Sequence, residues 1–326
     1  MKKGIISYTN SNNLGDYIQA LAAEEYLGGE LMHFDGDSLH QDPGEPYQLL
    51  VNGWFMEQPT HWPPHPHFIP LFISFHLNPT AEKEMLTPAG VEYLRRHQPI
   101  GCRDYYTQNT LSQKGIETYF SACITLGLSK KKNKEKQAES KAPILVVSAF
   151  ERLQTMGKPL NSKTSGIGHF IKARYNSYRY QKAKSRLDQF LQQTQLPVRY
   201  ASQIIDDKKL NVEQRFQKAQ EQLKAIAGAQ LIITSRIHTA LPAVALETPV
   251  LFLTDGLEHH NQSSRLDGLS QFFSCTDSKG LAKIKWDTLA NPTTHLPYVE
   301  KMKQKIQMIM KITTQNFLKR SFLILE

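Results

Sequence analysis

The sequence predicts an α/β fold built from two Rossmann-like halves, on three observations. Short runs rich in β-branched and apolar residues alternate with stretches of helical composition, the pattern that gives parallel sheets. The alternation runs twice, once on each side of a polar, charged segment, KKKNKEKQAESK at Lys130–Lys141. The chain has 326 residues, enough for two compact units and long for one. This gives a first half at 1–129, a basic linker at 130–141, a second half at 142–298 and a terminal helix at 299–326.

The first half opens with a strand in KGIISYT, then a helix over Tyr17–Leu27 that stops at Gly28-Gly29, a good C-cap. HFIPLFISFHL reads as one or more strands. IGCRDYYTQNTLSQKGI reads as a strand, a turn and a helix that starts near Asp104 and ends at Gly115; Glu117–Ile124 forms another short strand. After the linker, strands are expected at Pro143–Phe150, Leu196–Ala201, Leu231–Thr234 and Val250–Leu253. Helices are expected at Arg179–Gln193 and Asn211–Ala227, and from the 235–238 corner through Glu247.

Composition narrows the function. With 40% hydrophobic and 21% charged residues the chain is globular. The three cysteines (Cys102, Cys123, Cys275) are far apart, which points to a reducing compartment and away from a disulfide or zinc framework. The amino-terminal apolar run is too short for a signal peptide, and no window reaches the ~18 apolar residues of a membrane span. A cytoplasmic protein is expected. The formal charge of +9 favours anionic partners, but much of the excess lies in the linker and the tail, so no nucleic-acid partner is expected.

Chemistry concentrates at three corners. In TSRIHTALPAV, the strand ends at Thr234, and Pro242 belongs in a helix's first turn, so the helix is expected to start just before it. Ser235, Arg236 and His238 then occupy a strand-to-helix corner, where ligands bind in open α/β sheets. There the helix N-terminus adds partial positive charge. Arg236 can hold a carboxylate or phosphate with two bonds, and His238 can move a proton. GCRD places Arg103 at a second such corner, with Asp104 as N-cap. NSNNLGD (Asn10–Asp16) follows the first strand; Gly15 permits a tight turn, Asp16 can cap the next helix, and Asn13 with its neighbours suits sugar hydroxyls or an anion.

Other stretches carry less. HWPPHPH (His61–His67) has three histidines but no nearby acid or cysteine, a poor ligand set, so no metal is assigned. SGIGH (Ser165–His169) reads as a glycine-rich loop matching no phosphate-binding pattern. The tail, Val299–Glu326, has apolar residues at helical spacing (Met302, Ile306, Ile309, Met310) with lysines between them. It reads either as a helix packing back on the first half or as a basic contact with the inner membrane face.

Taken together, NLGD, GCRD and SRIHTALPAVALETPVLFL resemble the polysaccharide pyruvyl transferase family, from Ile5 to about Leu269. The chain departs from many relatives at VNGWF (Val51–Phe55), where they carry a glycine triplet. The resemblance implies a two-domain, GT-B-like arrangement with the active site in an interdomain cleft. It implies transfer of the pyruvate group of phosphoenolpyruvate to a glycan acceptor as a ketal, in surface polysaccharide (exopolysaccharide) biosynthesis. Arg103, Arg236 and Ser235 would bind the donor, His238 would be catalytic, and Asn13, Gly15 and Asp16 would form an acceptor-side loop. Phosphoenolpyruvate is a co-substrate, no cofactor is implied, and the acceptor could be lipid-linked. Two alternatives stay open: a GT-B glycosyltransferase using a nucleotide sugar, with Glu247 holding a ribose, and a binding protein that has kept the fold without the chemistry.

Overall fold

The computed structural model describes residues 1–9, 11–53, 58–133, 142–155, 167–205 and 209–308. Eleven strands occur among them: β1 (Lys2–Ser7), β2 (Met32–Asp35), β3 (Tyr47–Val51), β4 (Phe68–Phe72), β5 (Ile100–Cys102), β6 (Thr118–Phe120), β7 (Ile144–Val147), β8 (Val198–Ala201), β9 (Leu231–Thr234), β10 (Val250–Leu253) and β11 (Ser274–Thr276). The helices are α1 (Leu14–Leu27), α2 (Glu82–Met85), α3 (Pro88–Arg96), α4 (Tyr105–Ser112), α5 (Lys130–Asn133), α6 (Glu151–Thr155), α7 (Ile167–Gln192), α8 (Val212–Ala227), α9 (Ile237–Ala245) and α10 (His260–Ser263).

All strand pairs are parallel. One sheet runs β2-β1-β3-β4, and a second runs β11-β10-β9-β7-β8. Both follow the doubly wound order in which the chain steps first to one side of its opening strand and then to the other, so each has a switch point, at β1/β3 and at β7/β9. Strands β3, β7, β9 and β10 (YQLLV, ILVV, LIIT and VLFL) are mostly apolar and buried along their whole length, because both of their faces are covered.

β4 does not end cleanly. Ser74 adopts a left-handed backbone (φ 61°), and the chain then resumes pairing at Phe75, whose N–H donates to Gly101 O and whose carbonyl accepts from Arg103 N, both at 2.9 Å. This splice hangs the β5-β6 pair on the first sheet. It also sets His76, one residue past Phe75, beside Arg103 and Asp104, one and two residues past β5.

The two sheets share a core. α1, α8 and α9 pack on one another, with Ile18, Leu223 and Leu241 buried in a cluster that includes Ile5 and Leu50 from the first sheet and Leu145 and Ile232 from the second. Residues 296–308 are helical. Val299, Met302 and Ile306 are buried in this core, Tyr298 meets the rings of Phe120 and Phe272, and Lys305 lies 4.0 Å above the ring of Tyr119. Ile309, Met310 and the rest of the tail lie outside the described residues. No helix among the described residues is long and apolar enough to cross a membrane.

Several expectations need correction. α1 begins at Leu14 rather than Tyr17, and its cap is Asn13, whose side chain accepts from Gly15 N, not Asp16. The strand expected over Glu117–Ile124 is only β6, because Ala122 takes a left-handed backbone (φ 59°) and a 3-10 turn follows at Ile124–Gly127. α7 starts at Ile167, twelve residues before Arg179, and so takes in part of SGIGH; Ser165 and Gly166 lie outside the described residues. The first residues of the linker form α5, and 134–141 lie outside the described residues, as do Trp54 and Phe55 of VNGWF.

Candidate active site

The carboxyl ends of both sheets face one cavity of about 420 Å³. Asn13, after β1, and Asn78 and Thr80, after β4, line it from the first half; Arg152, Gln203, Arg236, His238, Gln262 and Arg265 are among the residues lining it from the second.

The β9–α9 corner supplies two of these side chains. α9 starts at Ile237, so Pro242 sits inside the helix and not in its first turn. A proline in a helix removes the bond to the carbonyl four residues back and crowds that carbonyl. Four residues back is His238, and its backbone is the one that departs from helical values (φ −81°, ψ 16°). The proline thus shapes the first turn and the seat of the histidine. Arg236 is the N-cap residue and offers no side-chain cap. Its guanidinium instead reaches Glu151 Oε2 at 2.6 Å, while Glu151 Oε1 accepts from the hydroxyls of Ser148 (2.6 Å) and Ser202 (2.7 Å). Burial raises the Glu151 carboxyl, but the three hydrogen bonds outweigh it and the pKa is lowered. Ser148 itself sits in a left-handed conformation (φ 48°) just past β7, a strained position for a non-glycine residue.

The β5–α4 corner is built differently. Asp104 caps α4, accepting from Thr107 N (2.9 Å) and Thr107 Oγ1 (2.7 Å) with one oxygen, and its other oxygen lies 2.6 Å from His76 Nδ1. Burial raises the Asp104 pKa, yet His76, Arg103 and the Thr107 N–H together bring it below the ordinary value. The carboxylate is ionised, so His76 Nδ1 is the donor. Burial first, then the Arg103 charge, pushes His76 down to about 4. A neutral ring that donates from Nδ1 carries a lone pair on Nε2, and that buried atom has no hydrogen-bond partner among the described residues. Arg103 is 2% exposed; its Nε lies 3.4 Å from Asp104 Oδ2, but Nε and Nη2 make no hydrogen bond among the described residues.

These two corners meet electrostatically. Burial, then the charges of Arg103, Arg152 and Arg236, lower Arg265 to about 9, with Asp16 opposing. Arg152, which donates to Gln262, is lowered to about 10 by burial and by Arg236. His238 is pushed well below its ordinary value by burial, then by Arg103, Arg265 and His76, and its buried Nε2 has no hydrogen-bond partner among the described residues. Three arginines and the neutral His238 therefore line one space, with Arg103 and His76 acting on it from behind, an arrangement whose mutual repulsion an anionic ligand relieves.

Of the residues singled out in sequence, Asn13, Arg236 and His238 line the cavity, and Arg103 lies buried behind it within electrostatic reach of His238. Gly15 is not in a turn. It stands in the first turn of α1, and a Cβ there would lie 2.5 Å from Gln203 Nε2 and 2.9 Å from both Cβ and Nδ1 of His238, so the glycine lets α1 pack closely against the histidine. Asp16 is buried, accepts from the Ser11 hydroxyl and acts on Arg265. Ser235 is not brought to the cavity; its hydroxyl donates to Ser148 O (2.8 Å) and ties β9 to β7. Glu247 follows the far end of α9, exposed and paired with Lys130 at 2.6 Å, away from the cavity.

Sequence reasoning missed His76, Arg152 and Arg265. His76 closes an apolar strand run, a legible hint, but its pairing with Asp104 depends on the strand splice. Arg152 and Arg265 stand in ordinary polar stretches and carry no local mark.

Comparison with known proteins bears on this arrangement. The sequence matches the family model of polysaccharide pyruvyl transferases over residues 13–255, from the cap of α1 to just past β10. The chain belongs to the polysaccharide pyruvyl transferase family. It is therefore a transferase by family. No curated protein matches by sequence. Among solved structures, this pyruvyl transferase family member is similar to a UDP-GlcNAc 2-epimerase of Methanocaldococcus jannaschii solved with UDP-GlcNAc and UDP (TM-score 0.49, 10% identity, 94% of this chain and 100% of that one). It is also similar to a functionally uncharacterised protein of Klebsiella pneumoniae (0.44, 10%, 84% and 92%). An Escherichia coli heptosyltransferase aligns with a TM-score of 0.21 at 11% identity, over 83% and 97%.

Proposed function

We propose that the chain moves the pyruvate group of phosphoenolpyruvate onto two hydroxyls of a glycan acceptor, leaving a cyclic ketal and phosphate, in the biosynthesis of a surface polysaccharide. The observation that carries this reading is the convergence of Arg152, Arg236, Arg265 and His238 on one cavity, with Arg103 buried within electrostatic reach of His238 and Arg265. The donor bears a carboxylate and a phosphate on three carbons, and a site for it needs cations for both and a group that moves a proton. Arginine suits both anions, because its planar fork donates two parallel bonds. The two halves act as the two domains of a GT-B-like enzyme, with the donor in the cleft between them.

In this reading the empty site holds His238 neutral. The arriving trianion offsets Arg103 and Arg265, and the imidazole gains a proton. That proton goes to the methylene carbon of the enol, which makes the central carbon electrophilic. One acceptor hydroxyl adds to it and gives its proton back to His238. The second hydroxyl then displaces the phosphate, which leaves with the remaining proton. Over the cycle two hydroxyl protons end on the new methyl group and on phosphate, so the histidine is restored. Asn13 and Asn78, at the rim contributed by the first sheet, face the acceptor's hydroxyls. No cofactor or catalytic metal enters these steps.

The test is incubation of the purified chain with phosphoenolpyruvate and a panel of glycan acceptors, lipid-linked ones included, with phosphate release and acceptor mass followed together. Phosphate release matched by a ketal on the acceptor supports the reading. Stabilisation of the fold by UDP or GDP but not by phosphoenolpyruvate would move it to nucleotide-sugar chemistry.

A further inference from the structure

The histidine run just before β4, unused by the cavity, gains from the fold what its sequence lacks. Asp42, from a turn more than twenty residues earlier, brings Oδ1 to 2.8 Å from His67 Nδ1 and 3.7 Å from His65 Nδ1. One ligand atom from each of the three residues lies within 4.8 Å of the other two. We propose that Asp42, His65 and His67 form a binding site for a divalent transition-metal ion of the zinc class, which clips the 39–44 turn to the 61–67 run.

Bond lengths of about 2.0–2.2 Å around a tetrahedral zinc place its ligand atoms roughly 3.3 Å apart. The two separations to Asp42 Oδ1 bracket that spacing. His67 Nδ1 and Asp42 Oδ1 already lie at hydrogen-bond distance, 2.8 Å, and His65 Nδ1 accepts the His67 backbone N–H over a longer 3.2 Å; the ion takes the place of the proton in the first contact and of the backbone N–H in the second. Two imidazole nitrogens and one carboxylate oxygen suit zinc, and water completes the fourth position.

The ligands are also held before any ion arrives. His65 N donates to Leu39 O (2.7 Å), Phe68 N to His65 O (2.9 Å), Tyr47 N to His67 O (2.9 Å) and Gly44 N to Asp42 Oδ1 (2.9 Å). Pro63, Pro64 and Pro66 restrict the run further. His61 turns its Nδ1 to the Asp37 carbonyl instead (2.8 Å) and is not a ligand. The site lies at the amino ends of β3 and β4, the opposite end of the sheet from the cavity, so its ion steadies the first sheet and takes no part in the transfer.

The experiment is equilibrium dialysis of the metal-free, untagged full-length chain against micromolar zinc, with bound metal counted and the melting temperature recorded. One zinc per chain and a melting temperature raised by a few degrees are expected. His67→Gln and Asp42→Asn should lose both effects, and His61→Gln should keep both. Asp42→Asn retains the oxygen that Gly44 uses, so it preserves the turn. No retained zinc in the parent chain, or equal retention in the His67→Gln and Asp42→Asn variants, overturns the proposal. Transferase activity does not enter the test, so its outcome is separate from that of the proposed reaction.

Discussion

Two strand-to-helix corners of this molecule each carry an arginine, and they are finished in opposite ways. At β5–α4 the helix is capped by its own aspartate, the histidine is locked to that cap, and the arginine is buried with Nε and Nη2 unbonded. At β9–α9 no side chain caps the helix, and its arginine, whose side chain is 17% exposed, already pairs with Glu151. The first corner holds a fixed charge that stability alone does not explain, since a buried cation with unmade bonds is costly. The second leaves an open helix mouth and a cation that can exchange partners. Geometry is stored in one corner and adaptability in the other, and an anionic donor would use both.

The largest expected effect falls on the open corner. His238→Ala should lower turnover by roughly 10²- to 10⁴-fold, the usual worth of a general acid or base, while the fold persists. His238→Gln should keep part of the donor affinity without the turnover, because an amide donates a hydrogen bond but exchanges no proton at neutral pH. Initial rates and donor titrations on both variants check this. Near-normal turnover in the glutamine variant would shift the proton to His76.

The closed corner gives an effect of opposite sign on two readouts. Arg103→Met removes a charge that acts on His238 and Arg265 and also a buried cation with unmade hydrogen bonds. Activity should fall on the order of 10²- to 10³-fold, as when one preorganised electrostatic contact is lost, and the melting temperature of the ligand-free protein should rise. A melting temperature that drops would show that Arg103 is held for the fold, and the contrast between the corners would fail.

How far the sequence reveals these corners follows from what each depends on. Arg103–Asp104 and Arg236–His238 are adjacent in sequence, and strand-then-helix patterning is enough to place them at corners. The double alternation likewise gives two parallel sheets. His76 and Asp104 lie 28 residues apart, and they meet because Ser74 breaks β4 and Phe75 re-pairs beside Gly101, a splice that no periodicity announces. The roles of Pro242 and Gly15 are visible only in three dimensions. One kinks the turn that carries His238, and the other clears space for its ring, where the sequence suggests a helix start and a tight turn.

Gly15→Ala is the next and smaller test, since it touches neither arginine. The added methyl would press on Gln203 Nε2 and on Cβ and Nδ1 of His238. A shift of about 1 Å in a catalytic group can cost on the order of 10²-fold, so turnover should fall by up to that factor. Helix propensity alone favours alanine over glycine. Unchanged turnover together with a higher melting temperature would mean that the ring moves aside freely and that the open corner is not preorganised.

The smallest effect is a slope in pH. His76 has a folded pKa of about 4, below the ordinary 6.5, and that of His238 is also depressed. A histidine kept neutral in the fold contributes nothing unfavourable above its unfolded pKa. As pH falls below about 6.5, the unfolded chain takes up the proton first, so stability drops until the folded form titrates as well. Each histidine adds up to about 1.4 kcal/mol per pH unit to that slope. Lowered carboxyls such as Asp104 act below this window, because their stabilisation is lost only as pH falls towards their own folded values. Urea unfolding at several pH values between about 6.5 and 5 should therefore show a steep fall for the parent chain. His76→Asn, which still donates to Asp104, should lose one histidine's share, and the His76→Asn/His238→Gln pair should lose both. An unaltered slope in His76→Asn would mean that His76 carries its proton in the fold, and Nε2 would then be a buried donor instead of an acceptor.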